Sequence, residues 1–164
     1  MKANLLRAVL PLALVFTMMS CSSDETVTTP TDTAIVQSYD YNQTELRLAE
    51  LINNYRESIG LNRLDIINYI SYKSLEHNEY MIENNVVNHD YFQQRVDNLV
   101  YYLGATRVNE NIAFNYQTPE GALNAWIASP THKANLEGDY TDFGISVTEG
   151  ANGKKYYTNI FIKK

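Results

Sequence analysis

The sequence predicts an α+β fold, a three-layer α-β-α sandwich built around a small antiparallel sheet. Three observations carry this. The first half holds stretches with apolar residues at spacings of three and four, the mark of amphipathic helices. The last thirty residues read as a β-hairpin, with strand-like alternation on either side of an Asn-Gly turn. The final strand is apolar on both faces, with Tyr156, Ile160 and Ile162 on one and Tyr157 and Phe161 on the other. A strand covered on both sides needs a layer above and a layer below, and the helices supply them.

The chain has 164 residues, enough for one domain with appendages. Residues 1–21 read as a targeting segment. Lys2 and Arg7 form a positive start, and Val9 to Met19 is apolar but too short to span a bilayer. Met-Met-Ser-Cys follows, and Cys21 is the single cysteine. A small residue before a lone Cys resembles a lipobox, with Met18 where Leu is usual. The implied processing is cleavage before Cys21 and lipidation of its thiol; an ordinary secretory signal with a leftover thiol is the alternative. One cysteine forms no intramolecular disulfide, so the exported domain must rely on its core. Residues 22–42 are polar and Thr-rich and read as a flexible tether. Ser22 after the Cys and the acidic pair Asp24–Glu25 point to an exported lipoprotein at the outer membrane or cell surface.

The domain is expected over residues 43–164. Its first helix is predicted from Gln43 to Ile59, with Leu48, Leu51, Ile52, Tyr55 and Ile59 inward and Gly60 as the stop. A second helix is predicted from Asp65 to Asn84. Ile67, Ile70, Ser74, His77 and Met81 mark its inner face, so His77 reads as a core histidine bonded to a carbonyl or a side-chain oxygen. Gly104 reads as a helix end, and Asn109 then opens a strand through Phe114. Thr118 is a candidate N-cap with Pro119 at the first helical position and Glu120 in the first turn. That helix cannot run through Pro130. Ser129 can cap a short new helix that carries His132 at its third position and closes at Gly138.

Chemistry-bearing residues concentrate here. His89, Glu110 and His132 come from three separate elements and form the one evident constellation, with Ser129 and Asn111 beside them. A neutral imidazole binds metal or acts as a base, and the helix dipole at a first turn favours that form for His132. The 13 basic residues less Lys2 and Arg7 leave 11 against 19 acidic, a mature charge near −8. With no basic patch, nucleic acid is not an expected partner. Membrane attachment would come from the lipid rather than from charge. The thirteen Tyr suit half-buried positions with a wet tip, or ligand surfaces.

The segments NHDYF, NENIA, AWIASPTHKANL, DFGISV and YYTNIFIKK, in that order, resemble the CAP superfamily of cysteine-rich secretory, antigen 5 and pathogenesis-related proteins, and in particular its bacterial SCP-like branch. The resemblance covers roughly residues 42–164 and implies the same sandwich fold. It implies that His89, Glu110 and His132 match three members of a cleft that typically holds two His and two Glu. The second Glu would fall at Ser129, which cannot replace a carboxylate, so a two-carboxylate acid–base mechanism is in doubt. Where the family usually has Gly, Asn109 stands, and after Gly it is Asn that best tolerates a positive φ if one is needed. Phe92 to Leu103 resembles the family's third helix, and Arg95 in it matches a recurrent arginine expected to pair with a carboxylate.

Three functions remain open at this level. One is a monomeric binding module whose cleft takes a divalent cation, Zn²⁺ suiting His89, His132 and Glu110, together with a small or lipid-like ligand. Another is a zinc-dependent hydrolase of the envelope, although no HExxH, cysteine nucleophile or G-x-S-x-G elbow is present. The third is a structural domain whose polar trio is only a hydrogen-bonded network.

Overall fold

The computed structural model describes residues 38–164, which fall within one compact unit. The targeting segment, Cys21 and most of the tether lie outside the described residues. The elements run α1 (Gln43–Ser58), β1 (Asp65–Ile66), α2 (Asn68–Glu83), α3 (Phe92–Leu103), β2 (Arg107–Phe114), α4 (Pro119–Ala128), α5 (Pro130–Leu136), β3 (Asp142–Glu149) and β4 (Lys155–Lys163). The sheet order is β1-β3-β4-β2. β4 pairs antiparallel with β3 and with β2, and β1 adds a two-residue parallel pair on β3. The sheet is therefore mixed, where a purely antiparallel one was expected. Asp65 and Ile66, expected to open the second helix, form that strand instead. Among the described residues no helix is long and apolar enough to cross a membrane.

The pleat of β4 organises the three layers. Tyr157 and Phe161 join Phe143, Ile145 and Val147 of β3 in one core, closed by Leu48, Ile52, Leu123, Trp126 and Leu136 from α1, α4 and α5. Ile160 and Ile162 face the other way, against Ile70 and Leu99 of α2 and α3, and Tyr156 packs with Met81. The expected two-sided last strand is thus met residue by residue. α2 lies so close to β3 that a Cβ at Gly144 would come within 2.3 Å of the Ser71 nitrogen, so only glycine allows the approach.

Local chemistry sets the element ends. The Asn42 side chain and Glu45 form a reciprocal capping box on α1. Gly104 ends α3 at φ 69°, and Thr118 caps α4 by accepting from the Gly121 amide. Ser129 stands at the cap of α5, but its hydroxyl makes no capping bond. Gly138 follows α5 without a positive φ; it is small because a Cβ there would lie 2.2 Å from the Tyr140 ring. Asn109 keeps ordinary strand geometry opposite Phe161, so tolerance of positive φ plays no part there. Ile59 lies past the last turn of α1 and is 45% exposed, while the fully buried Arg56 takes the inward position. The buried guanidinium donates to the carbonyls of Asn62, Leu136 and Gly138, tying α1 to the end of α5. The last residues before α1 are also docked. Tyr39 donates to Glu45 at 3.0 Å, and the Tyr41 hydroxyl is 2.9 Å from that of Ser71.

Candidate functional site

β2 is an edge strand, and that position explains the site. Glu110 pairs with Ile160 and so shares the α2–α3 face of the sheet; Asn111 pairs with Asn159 and shares the α1–α4–α5 face. Residues from both outer layers therefore meet around the rim of one strand.

Glu110 is the hub on the first face. Its side chain is 1% exposed and receives a forked pair of bonds from Arg95, Nε to Oε2 at 2.8 Å and Nη2 to Oε1 at 2.7 Å. His89 Nδ1 lies 2.8 Å from Oε1, and His77 Nε2 lies 3.8 Å from the same oxygen. Burial alone would raise the carboxyl pKa, but the bonds from His89 and Arg95 and the charge of Arg95 outweigh it, leaving the pKa below the usual value. An ionised carboxylate only accepts, so His89 Nδ1 carries a proton, and in the neutral imidazole the Nε2 lone pair is left free on a side chain that is 46% exposed. This is the pattern by which a carboxylate fixes the tautomer of a ligand-binding imidazole. Arg95 also donates to the Asp90 carbonyl at 2.8 Å, which ties the loop carrying His89 to α3. The carboxylate partner expected for Arg95 is thus Glu110.

His132 approaches from the other face. Pro130 starts α5 and sets His132 in its first turn, while Asn111 donates to the His132 carbonyl at 3.0 Å. Burial lowers the His132 pKa, and a charge on His89 would lower it further, so the two imidazoles sense one another. Beside His132 runs a groove of about 410 Å³ along the β2 edge, lined by Val87, Ile112, Phe114, Tyr116, Trp126 and Ser129 among others. It is the more apolar flank of the site.

His89 and Glu110, both expected in the site, are in direct contact, and His132 stands across the strand edge from them. Ser129 lines the groove. Asn111 is fully buried and does not face the groove; it positions the backbone of His132. Among the described residues no three His, Cys, Asp or Glu side chains are grouped so as to hold a metal ion. Both Glu110 oxygens are already spent on Arg95 and His89, so the donors left open from the expected trio are the two imidazoles.

Two members were missed. His77 meets the expectation of a carbonyl partner, Nε2 to Asn88 at 2.8 Å, but it also flanks Glu110. Burial lowers its pKa. Asn135 reaches the Glu110 carbonyl at 3.2 Å and Asn111 Oδ1 at 2.8 Å, stitching α5 to β2. Its signal was its place three residues after His132 in the motif already singled out.

Residues 49–161 match the CAP family, described as the cysteine-rich secretory protein family. The chain belongs to that family. It is 33% identical over 124 residues to the uncharacterized membrane protein YlbC of Bacillus subtilis, covering 73% of this chain but only 34% of that protein, about a third of its length. Its fold is similar to that of an outer surface protein from Borrelia burgdorferi, with a TM-score of 0.69, 23% identity and coverage of 77% of this chain and 96% of that one. A second similar structure is an extracellular SCP-domain protein from Bacillus anthracis, with a TM-score of 0.65, 25% identity and coverage of 77% and 45%. A cysteine-rich secretory protein from Staphylococcus aureus is similar at a TM-score of 0.62 and 21% identity, over 74% of this chain and 38% of that one.

Proposed function

We propose that this chain is an envelope-displayed CAP binding module. His89 and His132 meet the polar end of a small or lipid-like ligand whose apolar part lies along the β2-edge groove. The observation that carries the reading is the clamp on Glu110: Arg95 holds the carboxylate, and the carboxylate holds His89 with its Nε2 lone pair outward. Such a site is organised to accept a donor or a cation.

Two neutral imidazoles suit Zn²⁺ with its remaining positions open to water or ligand, and a bound cation would add a Lewis-acidic centre beside the groove. His89 and His132 would hold it, and Glu110 would orient His89 rather than coordinate. The hydrolase reading is weaker because Glu110, the carboxylate of the trio, is buried, clamped and held below its usual pKa, a poor state for a general base. Display at the envelope is supported by similarity to proteins described as membrane, outer-surface or extracellular. The lipid anchor on Cys21 completes the proposal.

Calorimetric titration with Zn²⁺ and with a fatty acid tests it, the native chain beside His89→Ala with His132→Ala. Binding of either probe that disappears in the double variant supports the reading. Identical isotherms for both proteins, or none, would reduce the network to a purely structural role.

A further inference from the structure

Among the described residues the left-handed backbone positions are Gly60, Asn85, Gly104, Asn115, Gly153 and Tyr91. Glycine and asparagine adopt that conformation readily. A bulky aromatic does not, and Tyr91 is held there at φ 58° and ψ 19°. The cause is local. The Phe92 amide donates to the His89 carbonyl at 3.1 Å, closing a turn over His89, Asp90, Tyr91 and Phe92. Tyr91 takes the third position of that turn, where a positive φ calls for glycine or asparagine. Either of those would make the same turn without strain, so the backbone alone does not explain a tyrosine.

The ring supplies the explanation. Tyr91 is 63% exposed, so filling the core is not its role. It stands edge-on to Tyr80, with ring centroids 5.2 Å apart. Tyr80 in turn stacks on the His77 ring, centroids 6.0 Å apart, and its hydroxyl donates to Asp90 Oδ2 at 2.8 Å. Asn88 Nδ2 donates to the same oxygen at 2.9 Å, and the Asp90 amide donates to Asn88 Oδ1 at 3.1 Å. The two neighbours of His89 are therefore tied to each other and, through Asp90, to Tyr80. The His89 side chain itself is half-exposed, and among the described residues Glu110 is the one hydrogen-bonding partner of its ring. An exposed imidazole with a single anchor is aimed by the backbone that carries it and by what braces that backbone.

We propose that Tyr91 is a positioning residue for His89. Its ring braces Tyr80, the Tyr80 hydroxyl holds Asp90, and the turn so fixed keeps His89 Nδ1 on Glu110. The left-handed strain at Tyr91 persists because this brace needs an aromatic where the turn would favour glycine. The proposal rests on the reading of His89 as the ligand-binding imidazole, and it adds Tyr91 and Tyr80 to the residues that aim it.

The test follows the His89 ring nitrogens of the purified chain by long-range ¹H–¹⁵N spectra at neutral pH, with the melting temperature measured beside them. The expected result for Tyr91→Gly is a split between the two readouts. The melting temperature holds or rises, because the strain is gone, while His89 relaxes from the Nδ1-protonated tautomer to a mixture. Tyr91→Asn, which also tolerates the left-handed backbone, behaves the same way. Tyr91→Phe keeps the native tautomer, because the ring is what acts. Tyr80→Phe loosens His89 although both rings remain, because Asp90 loses its hydroxyl donor. A native tautomer in both Tyr91→Gly and Tyr91→Asn would overturn the proposal, and so would its loss in Tyr91→Phe or a melting temperature that falls in both strain-relieving variants. No ligand enters this experiment. A native chain that takes up neither zinc nor fatty acid, yet shows the expected split, would sink the ligand reading and leave the positioning role standing.

Discussion

Replacing Arg95 by Leu leaves the Glu110 carboxylate buried with its guanidinium gone. Arg95 donates to both oxygens of a side chain that is 1% exposed, and among the described residues His89 is the one other side chain hydrogen-bonded to them, so nothing restores the lost charge balance. Removing one partner of such a buried pair costs about 3–5 kcal/mol. For a domain of this size that corresponds to a fall in melting temperature of about 10–20 °C. Urea denaturation followed by tryptophan fluorescence measures it directly, since Trp126 is the single tryptophan and is buried in the opposite core. Arg95→Leu combined with Glu110→Leu should recover a large part of the loss, because the orphaned charge is then gone. A loss below about 1 kcal/mol, the size of an exposed ion pair, would refute the clamp and mean that Glu110 swings to solvent.

Trp126→Ala should destabilise the domain by about 3–5 kcal/mol, because it empties a fully packed site. It also strands the Ile112 carbonyl that Nε1 now reaches at 2.8 Å; an unchanged melting temperature would contradict this packing. Stability should fall with acid in two stages. His77 and His132 have folded pKa values below the ordinary 6.5, so the unfolded chain takes up protons first as pH drops, and stability is lost from about 6.5 downward. Glu110, also depressed, contributes fully above the ordinary carboxylate range and loses that contribution as pH falls through its lower folded value. A flat melting temperature between pH 7 and 5 would contradict the first stage. Cys21→Ser should abolish detergent-phase partitioning of the exported protein; persistent partitioning would refute lipid anchoring.

What was legible in the sequence follows from how local each cause is. The end of α3 was legible because Gly104 supplies a left-handed stop that no neighbour needs to confirm, whereas its start at Phe92 came from the family resemblance. The Thr118–Pro119 start of α4 and the hairpin turn at Gly153 were likewise local. β1 was not legible, because two residues become a strand only through pairing with Asp142 and Phe143, far along the chain. The exposure of Ile59 and burial of Arg56 depend on where the chain turns after α1, not on periodicity. In the site, the motif delivered His89, Glu110 and His132, but not what Glu110 is bonded to. The clue was the position of Arg95, four residues before Leu99 on the buried stripe of α3, where a charge must find a partner. The left-handed Tyr91 and the docked Tyr39 and Tyr41 had no sequence signal at all, since both depend on packing between layers.

The central claim is that Glu110 fixes the tautomer of His89 so that Nε2 faces outward unprotonated. Long-range ¹H–¹⁵N correlation spectra of the imidazole nitrogens at neutral pH measure this directly. The account predicts a protonated Nδ1 and a bare Nε2 for His89, relaxing to a mixture of tautomers in Glu110→Gln. A His89 with its proton on Nε2, or a tautomer ratio indifferent to Glu110→Gln, would contradict it.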